Sequence, residues 1–312
     1  MLQFLAATHI GSPMPVPSET PTRDPLTSSD DSATLRRKPK RSMSRTQKIL
    51  FFVTGWLIVL MPFLFWWNTW FGRHLSDRQL TEYLHDDKKP RHIQHALVQL
   101  GDRMSRDDAA VKQWYSDLVR LANDPVEEVR NTDAWVMGQD TSGPGFHETL
   151  LKMLNDPSPM VRGNAALSLV RFRDATGRPQ IVALLRPEQI IAPANGRIVD
   201  SDRPGTAIHQ GGLVAKLQDE SGQTVEIRSP IPGRTRSIAQ SGANVAAGAE
   251  VAVVDPATEQ VWEALRALYL VGQMEDLPAV RPYERDLPEV SNDVRQQAIE
   301  TEKAIEARAG AN

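Results

Sequence analysis

Apolar positions follow successive patterns along this chain, and each change of pattern marks a change of organisation. Residues 49–71 are predominantly apolar and uncharged, long enough to predict a membrane-spanning helix. Pro62 lies near the middle, where spanning helices tolerate it. Trp66, Trp67 and Trp70 cluster at the C-terminal end, as an interfacial aromatic belt would. From residue 76 the spacing becomes that of amphipathic helices. Over residues 190–254 it changes to short β-rich runs between glycines, and from 255 the helical spacing returns.

Both kinds of segment are internally repeated. Asn123-Asp124-Pro125, Val129-Arg130 and Ala134 return 32 residues later as Asn155-Asp156-Pro157, Val161-Arg162 and Ala166. Each copy predicts two helices around an Asn/Asp-Pro turn, with Asp capping the second helix and Pro in its first turn. Residues 80–101 match more loosely, as a capping unit does. A fourth unit starts at 178–185, and its second helix is expected only at 256–270. A further pair is expected over 274–285 and 291–307. The β-rich stretch is therefore predicted to be inserted within one helical unit, where loop entropy makes insertion cheap. Within that stretch a shift of 37 places Ile190 on Ile227, Gly196-Arg197 on Gly233-Arg234, Gly205 on Gly242 and Gly211 on Gly248. Two like halves sharing one core are expected.

The helical pattern resembles HEAT-like α-solenoid repeats. Their D-P-x-x-x-V-R-x-x-A-A signature is complete from Asp156 to Ala166 and is broken in the preceding unit by Asp133 at the first Ala. The duplicated stretch, with its Ser229-Pro230-Ile231-Pro232-Gly233 element, resembles the biotinyl/lipoyl-like barrel-sandwich hybrid domain of carrier proteins and bacterial membrane-fusion adaptors. That resemblance places Ser221 or Gly222 where carriers hold the modified lysine. Lys216, the nearest amine, lies in the preceding strand. A swinging arm needs an amine at the tip, so no biotin or lipoyl cofactor is expected. Adaptors interrupt this hairpin with a coiled coil, and here only a tight turn fits.

Composition adds few chemical possibilities. The net charge is −3, and the absence of cysteine excludes disulfides, thiolate metal sites and thiol nucleophiles. No phosphate-binding glycine loop, H-E-x-x-H or G-x-S-x-G element occurs. His92 and His95 would share a helix face, with His85, Asp86 and Asp87 near enough to supply further ligands for zinc or copper. A polar turn with solvated histidines accounts for the same residues, and no metal is assigned. Trp114, Tyr115 and Trp135 have spacing suited to a helical core. Arg130 and Arg162 stand where an arginine ties neighbouring repeats together.

The resulting expectation is a mainly α protein with an inserted all-β domain. Residues 1–48 form a disordered cytoplasmic tail, 49–71 a single transmembrane helix and 76–186 HEAT-like repeats. Residues 187–254 form the barrel-sandwich domain, and 255–308 resume the repeats. Basic residues Arg36 to Lys48 before the span place the tail in the cytoplasm and the remainder in the periplasm, with the anchor in the inner membrane. The expected function is that of a non-enzymatic scaffold that binds protein partners as an accessory subunit of a bacterial envelope complex. A periplasmic adaptor of an efflux or secretion transporter is the alternative.

Overall fold

The computed structural model describes residues 44–68, 74–286 and 290–311. The predicted tail before Ser44 lies outside the described residues. Most of helix α1 (Arg45–Asn68) lies in the first of two units of the chain, which ends at Leu64. Among the described residues no helix is long and apolar enough to cross a membrane. This overturns the expected span at 49–71 and the single-pass inner-membrane location built on it. Thr54, Gly55 and Pro62 divide the apolar run into pieces of five or six residues, and its end beyond Asn68 lies outside the described residues.

The second unit begins with paired helices. Helices α2 (Asp77–Leu84) and α3 (Pro90–Met104) form the first pair. A 3-10 turn, Ala109–Trp114, leads to α4 (Tyr115–Leu121) and α5 (Glu127–Met137). Helices α6 (Phe146–Met153) and α7 (Pro159–Arg171) form the third pair. Helix α8 (Arg178–Ala183) packs on α9 (Thr258–Val271), although the whole β-rich segment lies between them in sequence. A short α10 (Leu277–Val280) between 3-10 turns and the long α11 (Asn292–Ala311) complete the array. One apolar core runs through all of these, from Leu80 through Leu118, Leu150, Leu184 and Leu265 to Ile305.

The turns depart from the expected capping in one respect. Asp124 and Asp156 precede the N-cap positions, which are Val126 and Ser158. Their carboxylates accept from the Val126 and Ser158 amides at 2.8 and 2.9 Å, closing the turn before the helix starts. Pro125 and Pro157 therefore lie in the turns, and Pro159 occupies the first turn of α7.

Arg130 ties neighbouring units together. Its Nε and Nη2 donate to the two oxygens of Asp156 at 2.7 and 2.9 Å, while Nη1 donates to the Asp124 carbonyl. Burial alone would raise the Asp156 pKa, but the guanidinium fork outweighs it and holds the group below the usual carboxylate range. Arg162 repeats only the local half of this arrangement, donating to the Asp156 and Pro157 carbonyls. The acid of the next turn, Asp255, is instead paired with Arg236 from the β-rich segment.

That segment forms eight strands, and the duplication is visible strand by strand. β1 (Glu188–Ile191), β2 (Gly196–Ser201), β3 (Ala207–Ile208) and β4 (Leu213–Asp219) correspond to β5 (Thr224–Arg228), β6 (Gly233–Ile238), β7 (Asn244–Val245) and β8 (Glu250–Pro256). Two antiparallel sheets result, ordered β1-β8-β6-β3 and β5-β4-β2-β7. Each half lends strands to the other: β3 pairs with β6, β7 with β2, and β1 with β8. The repeated glycines have a backbone cause. Gly205 and Gly242 have φ of 85° and 93°, a left-handed conformation that side chains disfavour.

These sheets are open, which corrects the expected barrel-sandwich architecture and the mainly α fold class; the described fold is mixed helix and sheet. Each sheet keeps two free edges, and β3 and β7 are only two residues long. Bulges break the register after Ile190, Ile198, Leu213 and Thr235, twisting the strands locally instead of closing them. The sheets bury their own core around Ile198, Leu217, Ile227, Val251 and Val254. Met160 of α7 packs against that core, and the Glu127 carboxylate accepts from both Ser158 Oγ and the Gln210 amide. The sheets thus dock beside the starts of α5 and α7.

If Arg130 joins adjacent units, Arg130→Ala should lower unfolding stability by about 2–3 kcal/mol, the range for a lost charge-assisted pair with a shielded partner. Arg78→Ala, which removes an exposed pair with Glu82, should cost about 0–1 kcal/mol. Urea unfolding of both variants checks the contrast.

Candidate interaction surface

The second helices of the first three units lie side by side, α3 against α5 and α5 against α7. Their buried positions follow a helical stripe, Ile93-Leu97-Leu100 on α3 and Val129-Val136-Met137 on α5. Trp135 falls on the opposite side of α5, in phase with Glu128 and Asn131. It is 37% exposed, which corrects its assignment to the core; Trp114 and Tyr115 are buried as their spacing predicts. The reason Trp135 can lie flat is Gly101. A Cβ there would come within 2.6 Å of the indole ring, so only glycine lets the ring rest on α3.

Polar side chains frame the indole. Asn164 Nδ2 donates to Asn131 Oδ1 at 2.7 Å, linking α7 to α5. Gln139 donates to the Trp135 carbonyl at 3.0 Å and accepts from Arg171 at 2.7 Å. Val98 on α3 is 43% exposed. The surface therefore offers an aromatic ring lying against Gly101 of α3, an exposed valine one turn earlier on the same helix, and amide groups paired with one another. Such a surface suits a binding partner; it holds no nucleophile paired with a base.

Beneath it lies Asp133, the residue that breaks the repeat signature. It is fully buried, and neither carboxylate oxygen has a hydrogen-bond partner among the described residues. Burial pushes its pKa well above the usual carboxylate range; Arg120 opposes this and Asp124 reinforces it. The packing therefore favours the protonated, neutral form of this carboxyl.

The histidines are drawn in different directions. His92 stacks on Tyr83 at 4.2 Å and its Nδ1 lies 2.8 Å from Asp86 Oδ2. His95 also approaches the Tyr83 ring and reaches Gln99 at 2.8 Å, its pKa lowered by burial and then by His92. His85 turns away, to the Thr81 carbonyl and to Asp117 at 3.1 Å. Among the described residues no group of three or more His, Cys, Asp or Glu side chains could hold a metal ion.

At the β4–β5 turn, Asp219 Oδ1 accepts from the Ser221 amide and hydroxyl and from the Gln223 amide, at 2.9, 2.6 and 2.9 Å. Gly222 follows with φ of 83°. Ser221 and Gly222 thus form a self-closed tip. Lys216 stands mid-strand between Asp200 and Glu226 in cross-strand register.

The HEAT repeat family model matches residues 148–172, which include most of α6 and α7. Among curated proteins none matches the chain. Similar solved structures include a designed armadillo repeat protein at 16% identity, covering 72% of this chain and 80% of its own, with a TM-score of 0.37. An engineered protein matches at 16% identity over 73% and 78% of the two chains, with a TM-score of 0.36. The HEAT match covers one helix pair, and the packing of α3 on α5 and α5 on α7 makes a repeat array, an architecture whose extended surface suits protein interaction.

The buried acid yields a direct test. Folding raises the Asp133 pKa above its ordinary value, so its penalty grows as pH rises above the unfolded-state pKa. Asp133→Ala should remove a penalty of about 1–3 kcal/mol for an unsatisfied buried polar group at both pH 7 and pH 4. The net gain should be larger at pH 7, because the ionisation penalty is added only at the higher pH. Denaturation at the two pH values measures it.

Proposed function

We propose that this protein is a non-enzymatic interaction scaffold that binds a protein segment across the exposed face of α3, α5 and α7. The observation that carries the reading is the Trp135 ring held on Gly101 beside exposed Val98. An aromatic ring with little conformational freedom left to lose is the kind of group that dominates interface energetics. The Asn131–Asn164 pair and Gln139 supply polar groups at its rim.

In this reading residues 187–254 are a separate unit inserted between α8 and α9, with repeats over 76–186 and 255–308. Two separate apolar cores and the packing of α8 on α9 support that division. The β4–β5 tip carries Ser221 and Gly222 and takes no covalent cofactor, and His85, His92 and His95 serve structural contacts instead of metal binding. The inserted unit has a bracing role: Gln210 and Met160 hold it to the turns beside the binding face.

A displayed library of random peptides panned on the full chain tests the surface. Selected peptides should bind Trp135→Ala at least about 30-fold more weakly, as expected for an interface anchor, with Val98→Asp also impaired and both variants folded. Peptides that bind both variants with unchanged affinity would place the interaction elsewhere.

A further inference from the structure

After α10 the chain crosses the last helix as a short strap, residues 281–286. Its 3-10 turn Arg281–Glu284 packs on α11. Four contacts hold it. Arg281 Nε donates to Glu302 Oε1 at 2.8 Å, and a second guanidinium nitrogen lies 3.8 Å from Glu306. Asp286 pairs with Arg295 at 2.9 Å. On its other side, the Tyr283 hydroxyl donates to the Leu185 carbonyl at 2.6 Å, and its ring packs on the helical core. Leu185 lies just past the C-cap of α8, before the chain departs for β1.

Glu284 of the same turn lacks a partner as a carboxylate. Glu284 Oε1 is withdrawn from solvent, and no donor reaches it among the described residues. Two more acids stand by the same turn, Glu302 and Glu306 of α11, both bridged by Arg281, and both act on Glu284. One guanidinium cannot neutralise three carboxylates. A proton on Glu284 resolves the conflict, because its O–H then donates to Glu302 while Glu302 accepts from Arg281.

We propose that residues 281–286 form a proton-dependent latch, closed by a shared proton between Glu284 and Glu302 and loosened when that proton leaves. Arg281 first, and then the hydrogen bond from Glu284, hold Glu302 below the usual carboxylate range. The proton therefore resides on Glu284, pushed up to about 7 by burial and then by Glu302. In the open strap Glu284 returns to its ordinary value of 4.5. The sign follows from that difference. The latch is fully effective below the open-state value and weakens as pH rises, until Glu284 has ionised in the closed state as well. Opening would then release Tyr283 from Leu185 and loosen the junction of α8 with α11, so proton loss acts on the end of the array.

Hydrogen exchange of the strap in the full chain, corrected for the intrinsic pH dependence of amide exchange, tests this. Between pH 5.5 and 8 the population of open strap should rise at least fivefold. Glu284→Gln supplies a permanent donor to Glu302 and should flatten the profile. Glu302→Gln should flatten it too and serves if the first variant fails to fold. Glu82→Gln, at an exposed pair, should leave the rise intact. A flat wild-type profile would overturn the latch, as would an undiminished rise in a folded Glu284→Gln or Glu302→Gln.

Discussion

The second unit depends on burying one apolar stripe from each of a series of helices too short to persist alone. Helices α2, α6 and α8 have eight, eight and six residues, below the length at which an isolated helix is stable in water. Each survives because Leu84, Leu150 or Ile181 enters a core continued by the neighbouring unit. Everything placed on the surface inherits its position from that stacking. Trp135 lies on α3 only because the packing of α5 brings it over Gly101. Arg130 reaches Asp156 only because the successive turns are held at a fixed spacing.

The β-rich segment solves the same problem by a different route. Neither half of the duplication completes a sheet, because β3 and β7 hydrogen-bond in the opposite half's sheet. The halves therefore fold together or not at all. The segment also alters the array that contains it. The Arg–Asp tie made by Arg130 is not repeated by Arg162, and Asp255 is engaged by Arg236 instead. Where the sheets interrupt the repeats, contacts to Glu127 and Met160 stand in for the missing tie.

Much of this was legible because periodic burial leaves periodic sequence. The 32-residue return of Asp-Pro and Val-Arg marks the helix pairs, and the 37-residue return of glycines marks paired turns that require left-handed backbone. Sheet closure was not legible, since strand length and bulge position are set by tertiary pairing that alternation does not encode. Apolar content likewise overstated residues 49–71, because composition does not weigh the interruptions at Thr54, Gly55 and Pro62. Trp135 shows a different failure. Its spacing, taken with Trp114 and Tyr115, suggested the core, whereas its phase within α5, shared with Glu128 and Asn131, points outward. Asp133 was visible as a broken signature, but the lack of a hydrogen-bond partner for its carboxylate among the described residues is a property of the packed state alone. Glu284 could not be singled out at all, since its meaning comes from Glu302, a neighbour only after α11 folds back across the strap.

Helices α8 and α9, far apart in sequence, belong to one helical core that the sheets adjoin without joining. Native-state hydrogen exchange in low denaturant measures this most directly. Amides of α8 and α9 should open with the same free energy and denaturant dependence as those of α5 and α7, whatever values the β4 and β8 amides show. If α8 and α9 instead open together with the strands, at a free energy distinct from α5 and α7, the helices flanking the sheets belong to the β-rich unit. In that case the continuous core does not exist.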